Sequence, residues 1–314
     1  MAHKKHLYIS SFKMKKFIYH SLVFSILAFL VLAILVLGTT LFAKKSFDYS
    51  LPENKNILVI GDSHTECAID DRILNNAFNL SQSATCYFYT YLKTREVINH
   101  NPQIDTLIVS YSYSSLKKIK DKWLIGPENL KFKIRDHLFL FNSADFKELF
   151  LASPKDVLVF VPQVIAHNFK VLRNGYAALG AFDNSERNNL REDLLRLQNE
   201  KQKNHIAGYS KYQEEYLLKI YNFCKEKNIK LILVNTPIHP KALEKENTDF
   251  KSYYCKFYVS NMPSASLLNH ADFNMPDSGF GDAYHLDYKG AKIYTEYLME
   301  THFSTDISYC NELE

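Results

Sequence analysis

Positions 21 to 43 carry no charge: SLVFSILAFLVLAILVLGTTLFA, 23 residues. At 1.5 Å per residue, a helix of that length crosses a hydrocarbon core of about 30 Å. The pattern before it is the opposite. Residues 1–16 hold Lys4, Lys5, Lys13, Lys15 and Lys16 and no acid. Basic flanks stay on the cytoplasmic side of a membrane. The pattern therefore predicts a cytoplasmic tail over 1–16, a transmembrane anchor over 17–43, and an extracytoplasmic remainder. A cleavable signal peptide has a shorter apolar region followed by a small-x-small site. Leu41-Phe42-Ala43 matches that site weakly, so the anchor reads as uncleaved. Residues 44–56 read as a polar tether.

Beyond residue 56 the period changes. Ile57-Leu58-Val59-Ile60 is apolar at every position, as in a strand buried on both faces of a parallel sheet. It runs into Gly61-Asp62-Ser63, a turn at the strand's carboxyl end, where open α/β sheets place their chemistry. Ile69 and Ile73, four apart, predict a short helix over 66–76. A second strand follows at 77–80, a helix at 85–99 and a third strand at 105–110. Further on, Tyr212, Tyr216, Ile220 and Phe223 share a helix face, and 230–235 is a fourth strand. A helix at 249–259, a fifth strand at 266–269 and a loop at 271–284 lead to a last helix at 288–299, with Ala291, Tyr294 and Leu298 inward. This rhythm predicts an α/β domain over 57–314 with a parallel sheet between two layers of helices.

Residues 112–208 interrupt the rhythm and read as a helical insertion. Leu190, Leu194 and Leu197 form one stripe, surrounded by Arg187, Arg191, Glu192, Arg196 and Glu200. The run DVLVFVPQVI at 156–165 is interrupted by Pro162 and is too short to span a bilayer. It reads as the core of a cap, or as a surface that touches lipid beside the anchor. Asp136, His137 and His167 read as ordinary polar positions.

Composition adds little. A net charge of +4, much of it at the amino terminus, gives no footprint for nucleic acid. Five Cys with no CxxC pair read mostly as small buried hydrophobes, and an odd count outside the cytosol leaves at least one without an intrachain partner. No metal-ligand spacing or cofactor motif is present, so none is expected.

The chemistry rests on two short motifs. A serine hydroxyl needs a base within hydrogen-bond reach, and the base needs an orienting carboxylate. Asp282-Ala283-Tyr284-His285 lies in the final loop, and its spacing lets Asp282 accept from the imidazole of His285. That loop emerges on the same sheet edge as Ser63. Gly61-Asp62-Ser63 after the first strand, with Asp282-x-x-His285-Leu286 before the last helix, resembles the SGNH/GDSL hydrolase family. The resemblance covers the domain apart from the insertion. It implies a three-layer flavodoxin-like fold and an ester-cleaving or acyl-transferring site. Ser63 would be nucleophile, His285 base and then acid, and Asp282 the holder of the His tautomer.

The middle motifs depart from that family. Its members supply a Gly after the second strand and an Asn after the third, both aimed at the oxyanion. Ala84 and Ser114 fall at those places here. His64 and His239 are further candidates, as substrate-pocket residues at the rim. Gly-Asp-x-His is also similar to one block of dinuclear metallophosphatases, but the flanking blocks are absent. The expected function is an anchored serine esterase or O-acyltransferase. Its substrate would be an acylated small molecule or envelope polysaccharide, with a membrane acyl-transfer protein as a possible partner. The alternative is a catalytically weak or inactive SGNH-like module that binds glycan or such a partner.

Overall fold

Five parallel strands make one sheet in a computed structural model that describes residues 2–125, 133–152, 154–199, 208–303 and Cys310. They are β1 (Ile57–Ile60), β2 (Ala77–Asn79), β3 (Thr106–Ser110), β4 (Lys230–Asn235) and β5 (Ser266–Asn269), in the order β2-β1-β3-β4-β5. β1 pairs with β3 from Ile57 opposite Thr106 to Ile60 opposite Val109. The strand order reverses at β1, so the connections after β1 and β3 leave to opposite sides and open a crevice at their carboxyl ends.

The uninterrupted apolar run of β1 now has its cause. Leu58 and Ile60 pack on one side with Leu107, Val109, Leu231 and Leu233. Val59 packs on the other with Ile108, Ile232 and Val234. On the first side lie α3 (Tyr87–His100), α7 (Lys211–Glu226) and α8 (Thr248–Asn261), through Leu92, Leu217 and Tyr254. On the second lie α2 (Ser63–Ala68) and α9 (Tyr288–Glu300), through Ala68, Tyr294 and Leu298.

α2 begins three residues earlier than the periodicity predicts and ends well before 76. Asp62 caps its start by accepting from the His64 amide at 3.1 Å. Ile69 is already extended, and the Asn79 amide group takes the carbonyls of Thr65 and Ile69 at 3.1 and 2.7 Å. A side chain on the neighbouring strand therefore satisfies the helix end, which no local pattern encodes.

The amino-terminal helix α1 (Ala2–Ser46) is long and apolar enough from Lys13 onward to cross a membrane. The expected tether is not loose chain. Phe47, Tyr49 and Leu51 are buried, and Asn101 binds the Leu51 amide at 2.7 Å and the Tyr49 carbonyl at 2.6 Å. Their period of two was the available signal. Val36 and Ala43 of α1 join the same core.

The insertion supplies α4 (Ser143–Ala152), α5 (Pro154–Asn174) and α6 (Leu190–Asn199). α5 continues through Pro162 and packs along α1. Asn168 donates to the hydroxyls of Thr39 and Thr40 at 3.3 and 3.1 Å. Asp136, His137 and His167 are buried. His137 binds the Lys133 carbonyl at 2.8 Å and packs on the Tyr89 ring, while His167 meets Asp136 at 3.3 Å. They fasten the insertion over α3. Glu200 lies outside the described residues.

Three cysteines are buried thiols as expected, and two are paired. Cys255 on α8 is disulfide-bonded to Cys310, whereas Cys67, Cys86 and Cys224 are buried thiols.

Candidate active site

Gly61 is required by contact. A Cβ there would lie 2.5 Å from the Ser110 Cβ and from the Thr65 hydroxyl. The chain therefore passes close over β3 and turns Asp62 and Ser63 onto the sheet rim. The Asp62 carboxylate is buried beneath that turn. It accepts from the Ser110 hydroxyl at 2.7 Å and pairs with Lys120 at 3.1 Å. Burial works to raise its pKa, but the Lys120 charge, His64 and the Ser110 hydrogen bond outweigh it and hold the carboxyl well below the usual range. Asp62 thus shapes the turn as an anion and is already fully partnered.

The structure brings Ser63, His285 and Asp282 together. Ser63 Oγ lies 2.8 Å from His285 Nε2, and His285 Nδ1 lies 2.9 Å from each Asp282 oxygen. The same carboxylate accepts the amides of Tyr284 at 2.8 Å and His285 at 3.0 Å, so the three-residue spacing closes as a turn. Burial raises the Asp282 pKa, yet the His285 ring and these amides bring it below the ordinary value. An ionised Asp282 fixes the proton on Nδ1 and leaves Nε2 to accept from Ser63.

The loop carrying Asp282 and His285 is held from three sides. Gly279 packs so tightly on α9 that a Cβ at Gly290 would lie 2.0 Å from its carbonyl. The Asn189 amide donates to the Gly281 carbonyl at 2.9 Å, while the Asp183 amide donates to the Glu66 carbonyl of α2 at 2.9 Å. One strap of the insertion therefore grips both halves of the site. His239 is the third hold. Its amide donates to the Ala283 carbonyl at 3.0 Å, and its ring nitrogens meet Asp277 and the Lys241 amide at 3.3 and 3.2 Å. With both nitrogens engaged and the ring buried, His239 ties loops together.

His64 is buried against the His285 imidazole, with ring centroids 5.2 Å apart. Among the described residues its Nδ1 has no hydrogen-bond partner. Burial pushes its pKa down to about 4. It is a neutral imidazole beside His285.

Ala84 follows Ser83 in a turn with φ +56°, a left-handed conformation that favours glycine. Ser83 is fixed there by a hydrogen bond to Glu66 and by Lys133, which donates to its carbonyl at 2.8 Å. The Ser114 hydroxyl lies 3.0 Å from that of Ser112, a pair in which either can donate. Among the described residues, no acceptor takes the backbone amides of Ser63 or Ala84.

Sequence reasoning passed over Asn79, Lys120 and the strap at 183–189. Each acts through a partner far away in the chain, and none has a local signature.

A model of an uncharacterised family matches residues 182–307, which include Asp282 and His285 but not Ser63. No curated protein matches the chain.

Proposed function

We propose that this chain is a membrane-anchored serine esterase or O-acyltransferase of the SGNH type. The observation that carries the reading is the continuous line from Ser63 Oγ to His285 to Asp282, at 2.8 and 2.9 Å. The strand order and the sandwich of helices around the sheet agree with the fold that the resemblance implies. In this reading Ser63 Oγ attacks an ester carbonyl as its proton passes to His285 Nε2. Asp282 stabilises the imidazolium. The carbonyl–alkoxy bond then breaks, His285 returns the proton to the leaving alcohol, and an acyl-Ser63 remains. Water or an acceptor hydroxyl, deprotonated by His285, releases the acyl group. The amides of Ser63 and Ala84 are the available oxyanion donors. Absence of the family's Asn removes a third donor, a loss of roughly 2.7–4 kcal/mol of transition-state stabilisation where such donors have been removed.

The substrate class is an acyl ester, and the anchor favours one in the cell envelope. The basic flank before the apolar stretch favours a cytoplasmic amino terminus. The Cys255–Cys310 disulfide favours an oxidising, extracytoplasmic setting for the domain. The missing Asn favours the second reading, a binding module without turnover.

A fluorophosphonate probe separates the two on the full chain in detergent. The enzyme reading expects covalent labelling that is lost in Ser63→Ala and in His285→Ala. Absence of labelling in the parent chain, with measurable glycan binding, would establish the module instead.

A further inference from the structure

We propose that α5 lies in the outer interface of the phospholipid bilayer, with Phe169 among the lipids. The domain is then held against the membrane by a second helix and not only suspended from α1. The inference rests on the reading of α1 as the membrane anchor.

The argument is one of depth. Thr39 and Thr40 sit four and three residues before the end of the uncharged stretch at Ala43, about 5 Å inside it. Asn168 of α5 hydrogen-bonds to both. Its level on α1 is therefore inside the apolar stretch. Contact between the domain core and α1 reaches deeper still, through Val36 and Leu32.

The direction of α5 is also fixed. Tyr176, just past its carboxyl end, packs its ring on Phe47 and hydrogen-bonds to the Tyr49 carbonyl, so α5 rises toward the outer end of α1. Its amino end returns to the domain, because Glu148 of the preceding α4 binds Tyr216 of α7 at 2.6 Å. α5 thus lies along the flank of the domain, where the membrane surface meets it.

The exposed residues suit that place. Phe169, next to Asn168, is 56% exposed. Lys170 and Arg173 are exposed and stand closer to the outer end, at the level where lipid phosphates lie. An exposed apolar ring with cations just above it is the arrangement of an interfacial helix whose long basic side chains reach the headgroups.

The chain contains a single Trp, Trp123, which permits a clean reporter. In a Trp123→Phe background, the full chain would carry one of three reporters in protein-free liposomes: Phe169→Trp, Phe29→Trp on the exposed face of α1, or Met299→Trp on the opposite helix layer. Lipids brominated near the headgroup or at the chain ends serve as quenchers. The expected result is that Phe169→Trp loses roughly half its emission to the shallow bromines. Phe29→Trp is quenched by the deep ones and Met299→Trp by neither. If Phe29→Trp is quenched and Phe169→Trp is not, the proposal is overturned while the anchor stands. If neither is quenched, the anchor reading falls and the proposal with it. If Phe169→Trp is open to aqueous iodide in liposomes but shielded in native membranes, a membrane protein covers α5 and the lipid assignment is wrong.

Discussion

Asp282 uses one carboxylate for two tasks: it closes its own turn through the Tyr284 and His285 amides, and it holds the His285 ring. Asp282→Asn keeps the shape but offers the ring a donor on one side, which favours the wrong tautomer. Fluorophosphonate labelling should slow by on the order of 10⁴-fold with the circular dichroism spectrum unchanged. Ala84 pays a steric cost at φ +56° that glycine avoids, so Ala84→Gly should raise stability by about 1 kcal/mol in urea unfolding. His64 predicts a pH effect. Its folded pKa near 4 lies below the value of about 6.5 expected in the unfolded chain. The unfolded state therefore binds more protons between those values. The associated stability is complete above pH 6.5 and is lost as pH falls through 4, up to about 3 kcal/mol. His64→Gln should shrink the drop in unfolding free energy between pH 7 and pH 4, and an unchanged drop would remove His64 as its source.

At the scale of elements, the loop after β2 shows how the insertion supports the rim. Gly180 approaches it with φ +139°, and a Cβ there would lie 2.3 Å from the Ser81 carbonyl and 2.6 Å from that of Leu80. Lys93, fully buried on α3, donates to the Leu80 and Leu179 carbonyls at 2.7 and 2.9 Å. Burial pushes its ammonium down to about 7. Gly180→Ala should cost about 2 kcal/mol or more and should also slow labelling of Ser63, because the Ala84 turn follows directly. None of this was legible. β1, the Ser63 turn and the Asp282–His285 spacing are local patterns, so residues a few positions apart disclose them. A glycine that receives carbonyls a hundred residues away looks like any loop glycine. Asn79 looks like the end of a strand, although it terminates α2. Phe47, Tyr49 and Leu51 did carry a readable alternation, but the lysines and acids around them suggested a solvated link.

For the whole molecule, the sequence disclosed five strands and the apolar amino-terminal helix, because both follow from runs of apolar residues. It did not disclose which of five cysteines pair. The Cys255–Cys310 bond spans 55 residues and pins the end of the chain to α8. Cys310→Ser should lower stability by about 2–4 kcal/mol, read as a lower urea midpoint under oxidising conditions and no difference under reducing ones. Removing α1 should also destabilise the domain. A chain starting at residue 46 lacks Val36 and Ala43, which lie in the main core, and should melt below the detergent-solubilised full chain.

α1 keeps its helical backbone to Ser46, and the next residue, Phe47, is wedged among Tyr49, Phe139 and Tyr176. Under the proposed function, a leash would let Ser63 sweep a wide sphere above the lipid. A welded post fixes its altitude, and in that reading acceptors would have to come to that altitude. Adding whole turns to the post would lift the serine in steps of about 5.4 Å.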